Sequence, residues 1–301
     1  MPVTMPYDLP ARAILESEQI FVMSEERAGH QDIRPMRIAI VNLMPVKVAA
    51  ETQLLRLLSN TPLQIEITLL HMASHVSRTT SAEHLDAFYT TFDEVRDQHF
   101  DGVIITGAPV ERLDFEEVDY WPELTRLLDW TRTNVQSTLH VCWGAQAALY
   151  HHYGVQKYEM DQKLSGVYTH RLTGAISPIT TGFDDQFVAP HSRYTDMHAA
   201  DIEASGDVDV LAVSDEAGVL LAATADGRQI FVPGHLEYDA DTLAREYRRD
   251  RKKGLPVPVP AHYFPGDDPD QVPLNLWRGH GHLLFANWLN YCVYQETPYA
   301  P

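Results

Sequence analysis

The sequence predicts an α/β fold: a doubly wound, mostly parallel sheet flanked by helices, with embellishment toward the C-terminus. Three observations carry this. Short apolar runs rich in branched residues recur at 36–44, 101–107 and 137–142. Segments with apolar residues at helical spacing separate them. Strand and helix alternating in this rhythm is the pattern of a parallel sheet covered on both faces.

The elements follow in order. The first 35 residues are polar and read as an irregular N-terminal segment. The run 36–44 reads as a buried strand. A helix follows over 47–60, with Leu54, Leu55 and Leu58 on one face. The alternation at 63–70 reads as a strand, 81–98 as a helix, and 101–107 as a buried strand ending in Gly107. Pro122 in the first turn and Leu124, Leu127 and Leu128 on one face predict a helix over 121–133. A strand over 137–142 and a helix over 144–152 complete the first half. The second half changes character. Short strands are expected at 209–213 and 218–224, and Asp226-Gly227 signals a hairpin into a strand at 229–233. A helix is expected over 240–253. Six prolines make 255–273 an extended loop, and a last helix is expected over 276–294. No repeat and no linker divides the chain, so 1–301 reads as a single domain.

Composition narrows the function. The chain has 301 residues, 45% of them hydrophobic, enough for a sizeable core. With 23 basic against 42 acidic residues the net charge is −19. A field of that sign repels phosphate backbones and anionic membrane surfaces, so neither is an expected partner. Two cysteines, Cys142 and Cys292, make no disulfide framework, and without a CxxC no structural zinc site is expected. Residues 1–20 carry Asp8, Arg12, Glu16 and Glu18 and do not read as a signal peptide. No stretch approaches the ~18 apolar residues of a membrane helix. The expected address is the cytoplasm.

The chemistry concentrates at Cys142, where a buried strand turns into a helix in Leu139-His-Val-Cys-Trp-Gly-Ala-Gln146. Such a turn projects the side chain out of the sheet. The helix amino end behind it offers free N–H groups and a positive dipole end, which favour a thiolate and stabilise an oxyanion. The backbone N–H of Trp143 is one expected oxyanion donor. The turn at Gly107-Ala108 is the expected source of the second, with Gly107 allowing unusual backbone angles there. Cys292 sits in the apolar final helix and reads as a buried, inert thiol. A thiolate nucleophile needs a base. In Phe231-Val-Pro-Gly-His-Leu-Glu-Tyr238, His235 and Glu237 alternate onto one side of an extended chain, so Glu237 can orient His235 toward Cys142. Their separation suits partners on neighbouring strands. His151-His152 and His280-Gly-His282 have no third ligand at sensible spacing, so no metal is expected.

Cys-Trp-Gly-Ala-Gln with a distant His-x-Glu resembles the class I glutamine amidotransferase superfamily. Glutaminases usually carry Gly two residues before the nucleophile. This chain has His140 there, which argues against glutamine hydrolysis. Other stretches resemble the homoserine O-acyltransferase family of methionine biosynthesis. They are Asp8-Leu-Pro-Ala11, Ile20-Phe-Val-Met23, Val41-Asn-Leu-Met-Pro45 with Lys47, Thr106-Gly-Ala-Pro109, the Cys142 turn, Pro190-His-Ser-Arg-Tyr194, the His235 segment, Tyr263-Phe-Pro with Asp267-Asp-Pro, and Asn287-Trp-Leu-Asn-Tyr291.

The resemblance implies acyl transfer from an acyl-coenzyme A to L-homoserine through a thioester on Cys142, with His235 as proton acceptor and Glu237 supporting it. By the same resemblance Lys163, Ser192 and Arg249 contact substrate, the acyl-CoA is a co-substrate rather than a bound cofactor, and the protein is a homodimer. On sequence alone Lys163 and Ser192 carry no signal and read as surface positions. Arg249, within the basic run 248–253, reads on sequence alone first as a solvated helix face, with a carboxylate partner as the alternative. Family members with Gly at the position of Glu111 resemble succinyltransferases, and those with Glu resemble acetyltransferases. A carboxylate there fills the volume a succinyl group needs and repels its charge. Acetyl-CoA is therefore the expected donor and succinyl-CoA the alternative. A glutamine amidohydrolase and a non-catalytic binding protein are the more distant alternatives.

Overall fold

The computed structural model describes residues 3–18, 20, 22, 34–75 and 79–297. The strands are β1 (Val3–Thr4), β2 (Met36–Val41), β3 (Ile65–His71), β4 (Tyr89–Thr91), β5 (Phe100–Ile105), β6 (Val135–Val141), β7 (Tyr158–Leu172), β8 (Gln186–Asp196), β9 (Val208–Ser214), β10 (Gly218–Thr224) and β11 (Gln229–Val232). The α-helices are α1 (Pro10–Ser17), α2 (Lys47–Leu58), α3 (Ala82–Phe88), α4 (Phe92–Val95), α5 (Trp121–Asn134), α6 (Trp143–Tyr153), α7 (Ala199–Ala204), α8 (Thr242–Lys252) and α9 (Arg278–Asn287).

All these strands join one sheet, in the order β1-β3-β2-β5-β6-β11-β10-β9-β7-β8, with β4 beside β3. From β1 to β11 the pairs are parallel. From β11 to β8 they are antiparallel. The expected class is thus present, as a parallel half extended by an antiparallel half. Residues alternate between faces as a strand requires. Ile38 and Ile40 of β2 enter one core with Leu54, Leu55 and Leu58 of α2 and Leu284 and Phe285 of α9. Ala39 and Val41 enter the other with Leu124, Leu127 and Leu128 of α5 and Leu149 of α6.

Three expectations need correction, and one element was missed. The N-terminal segment is not irregular throughout, because β1 pairs with β3 and α1 buries Ala11 and Leu15, one helical turn apart. Residues 23–33 of it lie outside the described residues. The helix expected over 81–98 is interrupted, because Tyr89–Thr91 pairs with Leu69–His71 of β3 and sheet pairing overrides helical spacing. The last helix changes winding, from α over Arg278–Asn287 to π over Trp288–Tyr294. The hairpin of β7 and β8 was not legible at all. Cys292 is buried, as expected. Among the described residues no helix is long and apolar enough to cross a membrane.

Candidate active site

β6 ends at Val141 and α6 begins at Trp143, so Cys142 alone turns the chain. Its φ of 52° and ψ of −120° lie where a non-glycine residue is strained, at on the order of 1–3 kcal/mol. The Cys142 N–H donates to the Val232 carbonyl at 2.8 Å and ties this elbow to β11. Gly144 lets α6 lie close to β5, since a Cβ there would meet the Thr106 and Ile105 carbonyl oxygens at 2.7 and 2.8 Å.

β11 pairs in parallel with β6, which brings His235, just past the end of β11, to Cys142. The His235 N–H donates to the Pro190 carbonyl at 2.9 Å. Its Nδ1 lies 2.6 Å from Glu237 Oε1, and the imidazole also hydrogen-bonds Cys142. With Nδ1 held by the carboxylate, Nε2 is left for the thiol. Burial opposes a charged imidazole here, but Cys142 and Glu237 outweigh it and hold the His235 pKa well above its ordinary value. The Tyr238 ring stacks on His235 with centroids 4.0 Å apart. Trp277 Nε1 donates to the Tyr238 carbonyl at 2.9 Å and holds this loop from behind.

Cys142 and His235 border a cavity of about 390 Å³ that reaches Glu111, Lys163, Ser192, Glu246 and Arg249. A larger cavity, about 630 Å³, lies behind Glu237 and contains neither Cys142 nor His235. Size alone does not mark the site. Glu111 lies on the loop after β5, where burial pushes its carboxyl up from the usual value. Its backbone carbonyl accepts from Lys157 Nζ at 2.7 Å.

Lys163 and Ser192 are not surface positions. Lys163, on β7, is only 8% exposed, and its ammonium donates to Asp250 Oδ2 at 3.0 Å and Glu246 Oε2 at 3.3 Å. Burial disfavours that charge, but Glu246 and Asp250 hold its pKa above the usual value. Ser192, on β8, donates to the same Glu246 oxygen. Arg249 is half-exposed on α8 at the cavity rim, its Nε donating to Asp250 Oδ1 at 2.7 Å.

Trp143 is the first residue of α6, so its N–H has no acceptor within its own helix. Gly107 and Ala108 lie opposite. Here the expected reason for glycine is corrected: Gly107 does not adopt positive φ. It is needed for proximity, since a Cβ there would lie 3.0 Å from Cys142 Cβ and 3.4 Å from its Sγ. His140 does not line the cavity. It is buried on β6, with Nε2 2.9 Å from Gln229 Oε1. Spacing along the chain gave His151-His152 no third ligand, but the fold brings up Asp129, whose Oδ1 lies 2.8 Å from His151 Nε2.

Sequence reasoning missed Tyr238, Glu246 and Asp250. Glu246 was within reach: it lies three residues before Arg249, hence on the same face of α8.

Comparisons with known proteins identify the family. The family model for homoserine O-succinyltransferase matches residues 2–299. A homoserine O-acetyltransferase of Acetivibrio thermocellus is 58% identical over 299 residues, covering 99% of this chain and 98% of the relative. One from Geobacillus kaustophilus is 60% identical, covering 99% of each. Among solved structures, a glutamine amidotransferase from Thermotoga maritima superposes with a TM-score of 0.56 at 12% identity, over 87% of this chain and 100% of that one. A glutamine amidotransferase from Methylobacillus flagellatus gives 0.54 at 14% identity, over 86% and 95%. These two likenesses show the fold alone. The full-length match and the identity of the relatives show that the chain belongs to the homoserine O-acyltransferase family, whose model bears the succinyl name and whose relatives here bear the acetyl name.

Proposed function

We propose that the protein transfers an acetyl group from acetyl-CoA to the hydroxyl of L-homoserine through a thioester on Cys142. The observation that carries this reading is the Cys142–His235–Glu237 array at the floor of a cavity bordered by Glu111. His235 Nε2 takes the thiol proton, and the thiolate attacks the acetyl carbonyl carbon. The N–H groups of Trp143 and of the Gly107-Ala108 turn hold the oxyanion. The bond from carbon to the coenzyme sulfur breaks, and that sulfur leaves with the proton from His235. The homoserine hydroxyl then gives its proton to His235, and its oxygen attacks the thioester. The bond to Cys142 breaks, and His235 returns the proton to the cysteine. Glu237 stabilises the imidazolium in both halves. Lys163, Ser192 and Arg249 bind the acceptor.

Glu111 favours acetyl-CoA over succinyl-CoA, because a second carboxylate in this cavity meets like charge poorly screened by water. The test is thiol release with homoserine and either donor, in wild type and Cys142→Ala. Turnover with acetyl-CoA, lost in the variant, is expected. Turnover with succinyl-CoA alone overturns the donor assignment, and full activity in the variant overturns the thioester.

A further inference from the structure

Glu111 borders the cavity from a turn that has little to hold it from within. Residues 107–114 form neither helix nor strand. The turn over 110–113 closes with one backbone hydrogen bond, from the Leu113 N–H to the Val110 carbonyl at 3.0 Å. The Glu111 side chain therefore takes its place in the wall from whatever holds that turn from outside. Arg112 reaches across to Glu159 and over the Tyr194 ring, but its ion pair is between exposed side chains, and such pairs contribute little.

Lys157, between α6 and β7, grips the turn directly. Its ammonium donates to the Glu111 carbonyl at 2.7 Å and to the Leu113 carbonyl. The same nitrogen lies 4.4 Å from the centroid of the Phe115 ring, a cation–π contact. Phe115 is buried, stacks on Tyr150 of α6 with centroids 4.5 Å apart, and packs on Trp143, the residue after the nucleophile, at 5.9 Å. The turn is thus fixed relative to the helix that begins at the nucleophile. Asp114, Glu111, Glu116 and Glu159 favour the charge on Lys157, and burial opposes it. Two of these carboxylates are engaged elsewhere: Glu116 accepts from the Tyr150 hydroxyl at 2.6 Å, and Glu159 from Arg112 at 2.8 Å. Asp114 forms a capping box with Glu117.

We propose that Lys157 is a positioning residue for donor selection: by holding the Glu111 and Leu113 carbonyls it keeps the Glu111 carboxyl in the cavity wall, against a longer, charged acyl group. This deepens the acyl-transfer reading and rests on the role given there to Glu111. A carbonyl held at a fixed point fixes the backbone rotation of its own residue, and with it the direction of the side chain. Glu111 needs such a restraint, because burial pushes its carboxyl toward the neutral form and water would receive it better. A freed turn lets the side chain swing out and leaves its volume to a succinyl group. The sign separates this from a plain charge effect. Loss of the Lys157 cation alone would disfavour a succinyl carboxylate, whereas loss of the grip admits it.

The experiment measures kcat/KM for succinyl-CoA and acetyl-CoA, with urea midpoints alongside. The proteins are wild type, Lys157→Met, Lys157→Arg, Glu111→Gly and the double variant Glu111→Gly with Lys157→Met. Lys157→Met keeps an unbranched stem and removes both hydrogen bonds. It should raise the succinyl-to-acetyl ratio on the order of 10-fold, the scale of one hydrogen bond to a charged group. Lys157→Arg, whose fork can still donate to two carbonyls, should stay nearer wild type. In the double variant, Lys157→Met should add nothing to the effect of Glu111→Gly. An unchanged or lowered ratio in Lys157→Met overturns the proposal. So does a loss of both rates by one factor with a lower urea midpoint, which is what a merely structural role predicts. A ratio raised by Lys157→Met but not by Glu111→Gly refutes Glu111 as the selector and leaves the grip on the loop standing. No turnover of either donor by wild type overturns the transfer reading and the proposal with it.

Discussion

Replacing Gly144 by alanine tests whether the elbow needs the helix where it lies. The added methyl would sit 2.7 Å from the Thr106 oxygen and 2.8 Å from the Ile105 oxygen. Ordinary contact begins near 3.4 Å, so α6 must retreat by several tenths of an ångström. Both obstacles are backbone atoms at the end of a central strand and cannot rotate away. Overpacking of this kind costs about 1–3 kcal/mol, against a gain of up to about 1 kcal/mol from alanine's helix propensity. The retreat carries the Trp143 N–H and the Cys142 backbone with it. A 1 Å misplacement can cost on the order of 100-fold in rate, so a shift of this size should slow acylation about 10- to 100-fold. The assay pairs urea denaturation with the rate of acyl-enzyme formation followed by intact mass. Gly279→Ala is the control, because a methyl on that α9 residue meets nothing within 4 Å. It should leave acylation unchanged and stability equal or slightly higher. Wild-type acylation and an unchanged denaturation midpoint in Gly144→Ala would refute the reasoning.

Two further outcomes are expected. The raised pKa of Glu111 means that it takes up a proton at a higher pH than an ordinary glutamate. The ratio of succinyl-CoA to acetyl-CoA kcat/KM should therefore rise as pH falls, beginning at a higher pH than an ordinary glutamate would allow, and Glu111→Gln should abolish the trend; a ratio flat across the pH range in which the enzyme is active counts against charge exclusion. Burial also pushes His140 down to about 3 and His170 to about 4, and burial together with Arg193 holds His191 well below its usual value. All three are neutral in the folded chain but protonate in the unfolded one below about pH 6.5, so stability is present above that pH and is lost as pH falls. Three such groups give a slope of about 4 kcal/mol per pH unit near pH 5. Urea midpoints from pH 7 to pH 5 follow the loss, to which His152, pushed down to about 4 by burial, also contributes; His140→Asn should lower the slope by about 1.4 kcal/mol per pH unit, and a slope unchanged by that substitution would refute the assignment.

The parallel half of the fold was legible because its strands are buried on both faces. Runs such as Ile38–Val41 and Val103–Ile105 then contain almost nothing polar. The β7–β8 hairpin was not. Its first strand reads Tyr-Glu-Met-Asp-Gln-Lys before any apolar run begins. Its pairing is long-range, and local pattern carries no trace of it. The site divides in the same way. Cys142, His235 and Glu237 announce themselves through strand-end motifs whose spacing is local. The burial of Lys163 depends on Glu246 and Asp250, 83 and 87 residues further along. No window of sequence contains that neutralisation, so a lysine reads as surface until the fold supplies its carboxylates. The elbow itself was legible, but the reason for Gly107 was not, because close approach to another segment cannot be read from a turn.

The two halves of the sheet build different walls of the cavity. The loop after β5, in the parallel half, carries Glu111, whereas Lys163, Ser192, Glu246 and Arg249 come from β7, β8 and α8. Cys142 and His235 lie at the seam, where β6 meets β11. On the proposed assignment the first wall meets the acyl donor and the second the acceptor. Substitution on one side can therefore change the donor while leaving the acceptor pocket and the nucleophile intact. On that assignment, such modularity gives a physical route for one lineage to exchange acyl groups without passing through an inactive ancestor.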